Sequence, residues 1–232
     1  MDMKLSSSII AVLVLSLLTA FADPKSELGD AIKKLSNQSG YSWTYTPKVE
    51  GSESARRQSP LTGKSEKDGY TLLSGQAGDV SYEIALKGEK MIVNYTGDWL
   101  STAEIGENNR IVQRLRALKT PVAEAEGLSG KLSSLKKDAD GAYLGDMEGA
   151  AAKELFALLG RRAAEAQEAK GTVKFWVKDG SLAKYELVVR GTIKVGGEEK
   201  RDVDISQTIT VEIKEVGSTK VSLPDDAKKK LS

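Results

Sequence analysis

The pattern of apolar and polar positions predicts a helix over residues 28–35 and a strand directly after it. Apolar residues recur every three or four positions over residues 28–35, which is typical of one buried helix face. Gly40 ends this pattern, and apolar and polar residues then alternate strictly through residues 41–46. This alternation predicts a strand that carries Tyr41, Trp43 and Tyr45 on one face.

Shorter patterns predict the elements of the middle of the chain. The polar residues 50–69 indicate a long loop, and short strands are expected at residues 70–74, 80–86 and 91–95, the last two joined by a turn at Gly88-Glu89. Three helices are expected next. The first is capped by Asn108 or Asn109 and ended by Pro121, the second carries Leu128, Leu132 and Leu135, and the third is capped by Asp146 and ends at Gly160.

The last third of the chain has the clearest strand pattern. Alternation runs through residues 173–178, 185–195 and 203–213, with turns at Asp179-Gly180 and Gly196-Gly197 and a bend at Gly191. Long alternating strands have one exposed and one covered face, which favours antiparallel pairing. Lys228 to Lys230 are predicted as a solvated tail. The whole order predicts an α+β fold, a strongly curved antiparallel sheet or half-open β-barrel with helices packed on its concave apolar face.

The first 22 residues have the features of a secretory signal peptide. Lys4 precedes an almost unbroken apolar run over residues 9–18, and Ala20-Phe21-Ala22 places small residues at the cleavage site. The run is too short for a membrane anchor, which needs about 20 apolar residues. We therefore expect residues 1–22 to be removed, leaving a single domain of residues 23–232 that is periplasmic or secreted.

Composition removes several classes of function. The chain has no His and no Cys, which excludes disulfides, the commonest zinc sites and every Cys or His nucleophile. Its 34 Lys and Arg against 33 Asp and Glu leave no basic surplus for binding nucleic acid. A hydrolase that uses paired carboxylates ranks last, because no pair of acids stands out. We expect no catalytic residue, metal or cofactor.

Three short motifs resemble ligand sites and fail on spacing or context. Gly63-Lys64-Ser65 ends like a phosphate-binding loop, but that motif needs a glycine where Gln58 stands. Residues 138–141 resemble a calcium loop without its later glycine and glutamate, so only weak, incidental cation binding is expected there. Asp202 and Asp204 share the exposed face of a strand and are predicted as solvated.

The C-terminal third resembles a known family. Residues 171–180 (GTVKFWVKDG), the long strand of residues 182–195 and the ending of residues 215–227 (EVGSTKVSLPDDA) are similar to motifs of the LolA-like lipoprotein carriers and the LppX/LprG lipid-carrier lipoproteins. The resemblance implies a half-closed antiparallel barrel, a helical lid and an apolar cavity for acyl chains, with no catalytic residues. The lipidated cysteine of the LppX/LprG relatives has no counterpart here, so the chain is closer to the soluble carriers.

The resemblance and the signal peptide together indicate an exported, soluble carrier or binder of a lipid or other apolar ligand. It would contact membranes only transiently and bind no nucleic acid. The candidate residues lining a cavity are Trp43, Tyr45, Tyr95, Trp99, Leu115, Leu155, Phe175, Leu187, Val189, Ile209 and Val211. The alternative is that these side chains fill a solid core. The protein would then be an envelope scaffold that binds another protein.

Overall fold

The computed structural model describes residues 23–50, 59–95, 97–106, 109, 112, 118–157, 166–195 and 201–232. The predicted signal peptide lies outside the described residues, as do the turn at Gly196-Gly197 and most of the helix expected after Asn108. Among the described residues, no helix is long and apolar enough to cross a membrane.

In the described part of the chain, eleven strands form one antiparallel sheet. The strand order is β6-β5-β4-β3-β2-β1-β11-β10-β9-β8-β7, so the first strand of the chain pairs with the last. The bounds are β1 (Gly40–Glu50), β2 (Leu61–Glu66), β3 (Thr71–Ala77), β4 (Val80–Lys87), β5 (Lys90–Asn94), β6 (Trp99–Ser101), β7 (Ser134–Lys137), β8 (Tyr143–Met147), β9 (Gln167–Lys178), β10 (Ser181–Val195) and β11 (Arg201–Lys214).

Five helices lie in the described part: α1 (Pro24–Ser36), α2 (Thr102–Ile105), α3 (Pro121–Gly130), α4 (Gly149–Ala157) and α5 (Asp225–Lys230). The predicted first helix is confirmed as α1, with Leu28, Ile32 and Leu35 on its buried face. Proline at the first helical position starts α3, where Thr120 caps the backbone amide of Ala123. Helices α1 and α4 pack on β9 and β10, and α3 packs on α1.

The face of the sheet beneath α1, α3 and α4, called the inner face below, carries the main core. Phe175, Tyr185 and Val211 are fully buried there, and Trp43 joins the same cluster from β1. The sheet is curved, and it is open because its edge strands β6 and β7 do not pair with each other. The predicted α+β fold, a curved antiparallel sheet with helices on its apolar face, is confirmed.

Gly191 marks a break in the pairing of the long strands. The register between β9 and β10 shifts between Arg190 and Thr192, as expected for a β-bulge, and α4 approaches the sheet at this point. A Cβ atom at position 191 would lie 3.1 Å from the ring of Phe156. The glycine therefore gives the Phe156 ring the space to pack flat on the strand.

The opposite, outer face carries a second apolar cluster that the sequence analysis did not predict. Ala85, Ile92 and Trp99 pack there against three residues of the C-terminal segment, namely Leu223, Ala227 and Leu231. Lys230 forms an ion pair with Glu104 at 2.6 Å. The prediction of a tail is therefore wrong, although Lys229 and Lys230 are exposed to solvent as that prediction expected. The lysines belong to α5. The spacing of four positions between Leu223, Ala227 and Leu231 is the sequence pattern that could have indicated this helix.

Three further element predictions are wrong. Residues 50–69 contain β2, whose Gly63 leaves room for the Trp43 ring, since a Cβ atom would lie 2.2 Å from it. Residues 118–120 are not helical and Pro121 begins α3, whereas Leu135 lies in β7 rather than in a helix. Asp146 lies in β8, so it does not cap the helix that begins at Gly149. Strands of four or five residues are too short for their alternation to stand out from helical spacing.

Candidate functional site

A row of side chains crosses the inner face at right angles to the strands. Tyr45 of β1 and Tyr185 of β10 both pair in register with Val211 of β11, and Phe175 of β9 links Tyr185 to Tyr143 of β8. The Phe175 and Tyr185 ring centroids lie 6.0 Å apart. This aromatic row lies beneath the helices and provides a rigid apolar surface with hydroxyl groups at three points.

Two phenols of the aromatic row hold helices to the sheet. The Tyr185 hydroxyl donates a hydrogen bond to the Glu124 carboxylate on α3, and the Tyr143 hydroxyl donates one to Glu27 on α1. Lys137 also contacts Glu27, at 2.9 Å. These hydrogen bonds fix the positions of α1 and α3 above the inner face.

The hydroxyls of Tyr41, Tyr45 and Tyr185 gather under the first turn of α3, together with Glu124. We call these four residues the tyrosine–glutamate cluster. Tyr41 reaches the Thr120 side chain and the backbone of Val122, and Tyr185 reaches Glu124. The described residues provide no hydrogen-bond partner for the Tyr45 hydroxyl. This hydroxyl lies close enough to Glu124 for the carboxylate charge to raise its pKa. The cluster is therefore a polar spot in an otherwise apolar face.

Burial determines the protonation behaviour of this cluster. It raises the pKa of Glu124 above 4.5, against the hydrogen bond from Tyr185 and the charge of Lys119, which both lower it. Burial also raises the pKa of Tyr45 and Tyr185 well above 10, and the Glu124 charge adds to the effect. All three phenols, including Tyr41, whose pKa burial also raises, are therefore hydrogen-bond donors at neutral pH.

The raised pKa of Glu124 leads to a prediction about pH. The folded chain holds this proton more tightly than the unfolded chain, so Glu124 lowers stability as pH rises from 4.5 through its folded pKa. Glu124→Gln removes that loss, worth about 1.4 kcal/mol for each unit of pKa difference. The free energy of unfolding of the variant, relative to that of wild type, should therefore be larger at pH 7.5 than at pH 4.5.

Urea unfolding of both proteins at the two pH values measures this effect. Glu126→Gln, which changes an exposed acid on the same helix, is the matched control and should follow wild type at both pH values. A Glu124→Gln difference that is the same at both pH values would contradict the assignment of Glu124 as a buried titrating group.

Two open hollows, of about 530 and 700 Å³, lie on the outer face of the sheet. They share Thr62, Ser74 and Glu83 and are lined largely by polar side chains. Neither hollow lies between the sheet and the helices. Beneath the helices, Phe156, Phe175 and Tyr185 are fully buried, and none of the three lines either hollow.

No protein-family model matches the chain, and no curated protein matches it significantly. Among the solved structures that resemble it, the following three have 12% sequence identity to this chain. LprF from Mycobacterium bovis has a TM-score of 0.46 and covers 88% of this chain and 97% of its own. Lipoprotein LppX from Mycobacterium tuberculosis has a TM-score of 0.47, covering 86% and 97%. A LolA superfamily protein from Nitrosomonas europaea has a TM-score of 0.36, covering 87% and 95%.

These are the groups of proteins that the C-terminal motifs indicated. At this identity the likeness concerns the fold. What the site of this chain does is therefore argued below from its own residues.

The structure brings most of the candidate cavity-lining residues together. Six are buried in the inner-face core: Trp43, Phe175, Leu187, Val189, Ile209 and Val211. Tyr45 and Leu155 are partly buried against the same core. Trp99 lies apart from them in the outer-face cluster, Tyr95 is 39% exposed, and Leu115 lies outside the described residues.

Sequence analysis missed Glu124, Tyr143 and Tyr185 as members of the site. A sequence pattern could have identified Tyr185, because it alternates in phase with Leu187 and Val189 on the face that proved to be covered. No such pattern identifies Glu124, since 61 residues separate it from its hydrogen-bond partner Tyr185. The sequence also does not indicate which side of α3 meets the sheet.

The carboxylates of the acidic motifs form ion pairs with lysine side chains of the protein. Lys174 lies 2.6 Å from Asp138 and 3.3 Å from Asp140, and it lowers the pKa of Asp138. The ammonium group therefore takes the place expected for a weakly bound cation. Asp202 pairs with Lys194 at 3.1 Å. In the described ranges, no group of three or more acidic residues could hold a metal ion.

Proposed function

We propose that the protein is an exported, soluble carrier or binder of a lipid or other apolar ligand, held between the curved sheet and the helices without catalysis. The observation that supports this most directly is the inner face, an apolar surface that runs across the sheet beneath a roof of helices. The tyrosine–glutamate cluster adds a few polar groups to that surface. Apolar walls with few polar groups are typical of small-molecule sites.

Transfer of an acyl chain from water to such a surface is favourable by about 0.8 kcal/mol per CH₂ group. Because Phe156, Phe175 and Tyr185 are shielded from solvent beneath the helices, an acyl chain reaches them only if helices move away from the sheet. The groups that hold the helices are Tyr185 with Glu124 and Tyr143 with Glu27. We propose that these contacts open on ligand entry, and that the protein meets a membrane only while it loads or unloads.

A second candidate is a scaffold of the cell envelope that binds another protein. The complete burial of Phe156, Phe175 and Tyr185 favours it, because side chains shielded from solvent offer no accessible apolar surface to a ligand. In that case the polar outer face with its two hollows is the surface available to a partner.

Bound lipid distinguishes the two candidates. The protein is expressed with its own leader, purified without detergent and extracted with organic solvent, and the extract is analysed by mass spectrometry. A carrier retains lipid, and the mass of the mature chain shows whether cleavage follows Ala22. Recovery of the folded protein without lipid, together with capture of an envelope protein, favours the scaffold.

A matched pair of variants shows where the lipid lies. Val189→Phe adds volume to the buried inner face, whereas Val188→Phe adds the same volume to the outer face of the same strand. We expect the inner variant to lose most of its lipid and the outer variant to keep it, with urea unfolding confirming that both fold. Equal lipid content in the two variants would show that the ligand does not occupy the inner face.

A further inference from the structure

The tyrosine–glutamate cluster also indicates which ligands the inner face takes. This inference rests on the proposed function and adds a chemical class to it. We propose that the cluster receives the polar end of the ligand, and that this end is an ammonium group on an aliphatic chain.

The geometry brings an acid and several aromatic rings to one place. Tyr45 and Tyr185 stand on either side of Val211 in adjoining strands, and Glu124 meets Tyr185 from above. Tyr41 and Trp43 extend the aromatic surface, with ring centroids 5.6 Å apart. A carboxylate surrounded by aromatic side chains is a combination that attracts ammonium groups, through charge and through cation–π contacts with ring faces.

The cluster has unused hydrogen-bonding capacity. Among the described residues, Tyr185 is the one hydrogen-bond donor to Glu124, through Oε2, and the Tyr45 hydroxyl has no partner. An ammonium group can donate to the free carboxylate oxygen and to the Tyr45 oxygen. A plain hydrocarbon can satisfy neither.

The charges near the cluster disfavour an anionic ligand. Among the described residues no lysine or arginine is buried, and those whose charges act on the cluster are Glu124, Glu126 and the exposed Lys119. A carboxylate or phosphate end would therefore meet Glu124 without a buried cation from the described residues to balance it. Like charges at short range in a partly buried site are strongly unfavourable.

Three probes with the same dodecyl chain test the inference: dodecylammonium, laurate and dodecanol. Their affinities for the purified protein are measured at pH 7.5 by isothermal titration calorimetry. We expect dodecylammonium to bind at least about tenfold more tightly than laurate, with dodecanol between them. Glu124→Gln should bring the ratio of the two charged probes close to one and leave dodecanol unchanged. Glu89→Gln, which changes an exposed acid in the turn between β4 and β5, should keep the wild-type ratio.

Tyr45→Phe provides a second variant in case Glu124→Gln does not fold. It removes one hydroxyl, and we expect it to weaken dodecylammonium binding by about threefold to tenfold while dodecanol binds as before. Tight binding of laurate, equal binding of the three probes, or an unchanged preference in both variants overturns the ammonium inference and leaves the carrier proposal standing. Failure of all three probes to bind overturns the carrier proposal itself.

Discussion

Phe156→Ala should lower the free energy of unfolding by about 3–5 kcal/mol, a large part of the stability of an ordinary domain. The Phe156 ring is fully buried between α4 and the bulge at Gly191. Its removal loses apolar burial and leaves a cavity, because the strand beneath it is held by pairing on both sides and cannot collapse into the space. Urea unfolding measures the loss as a lower midpoint.

A double-mutant cycle with Gly191→Ala assigns the loss to this contact. Alone, the added methyl group would lie 3.1 Å from the Phe156 ring and should destabilise the fold. With Phe156→Ala the methyl group enters the vacated space, so Gly191→Ala should then cost less or become stabilising. Additive losses in the double variant would contradict direct packing of the ring on Gly191.

Leu231→Ala should destabilise the protein by about 2 kcal/mol or more, although the residue stands next to the chain end. Leu231 is 1% exposed and completes the outer-face cluster with Ile92 and Trp99. The same substitution in a solvated tail would change stability by less than about 0.5 kcal/mol. Urea unfolding, with Trp99 fluorescence as one probe, distinguishes these outcomes.

Lys229→Ala is the matched control for the C-terminal segment. Lys229 is exposed on α5, two positions before Leu231, and its removal should leave stability within about 0.5 kcal/mol of wild type. If Leu231→Ala behaves like Lys229→Ala, the segment contributes nothing to the fold and the outer-face cluster is not a core.

Local patterns were sufficient where an element is long and half-buried. The alternation through β9, β10 and β11 identified those strands and their inner faces, because a strand with one covered face repeats every two residues. The spacing of the buried residues in α1 identified that helix for the same kind of reason. The short strands β7 and β8 were not predicted, since four or five residues contain too few repeats to establish a period.

The periodicity of apolar residues was enough to predict the fold class, an antiparallel sheet with helices on one face, because that periodicity reflects the burial of each element. The structure was needed to show that β1 pairs with β11, that the last residues cover the outer face, and that Glu124 meets Tyr185. These contacts join residues far apart in the chain. Their formation depends on how whole elements pack, and no local pattern of residues encodes that arrangement.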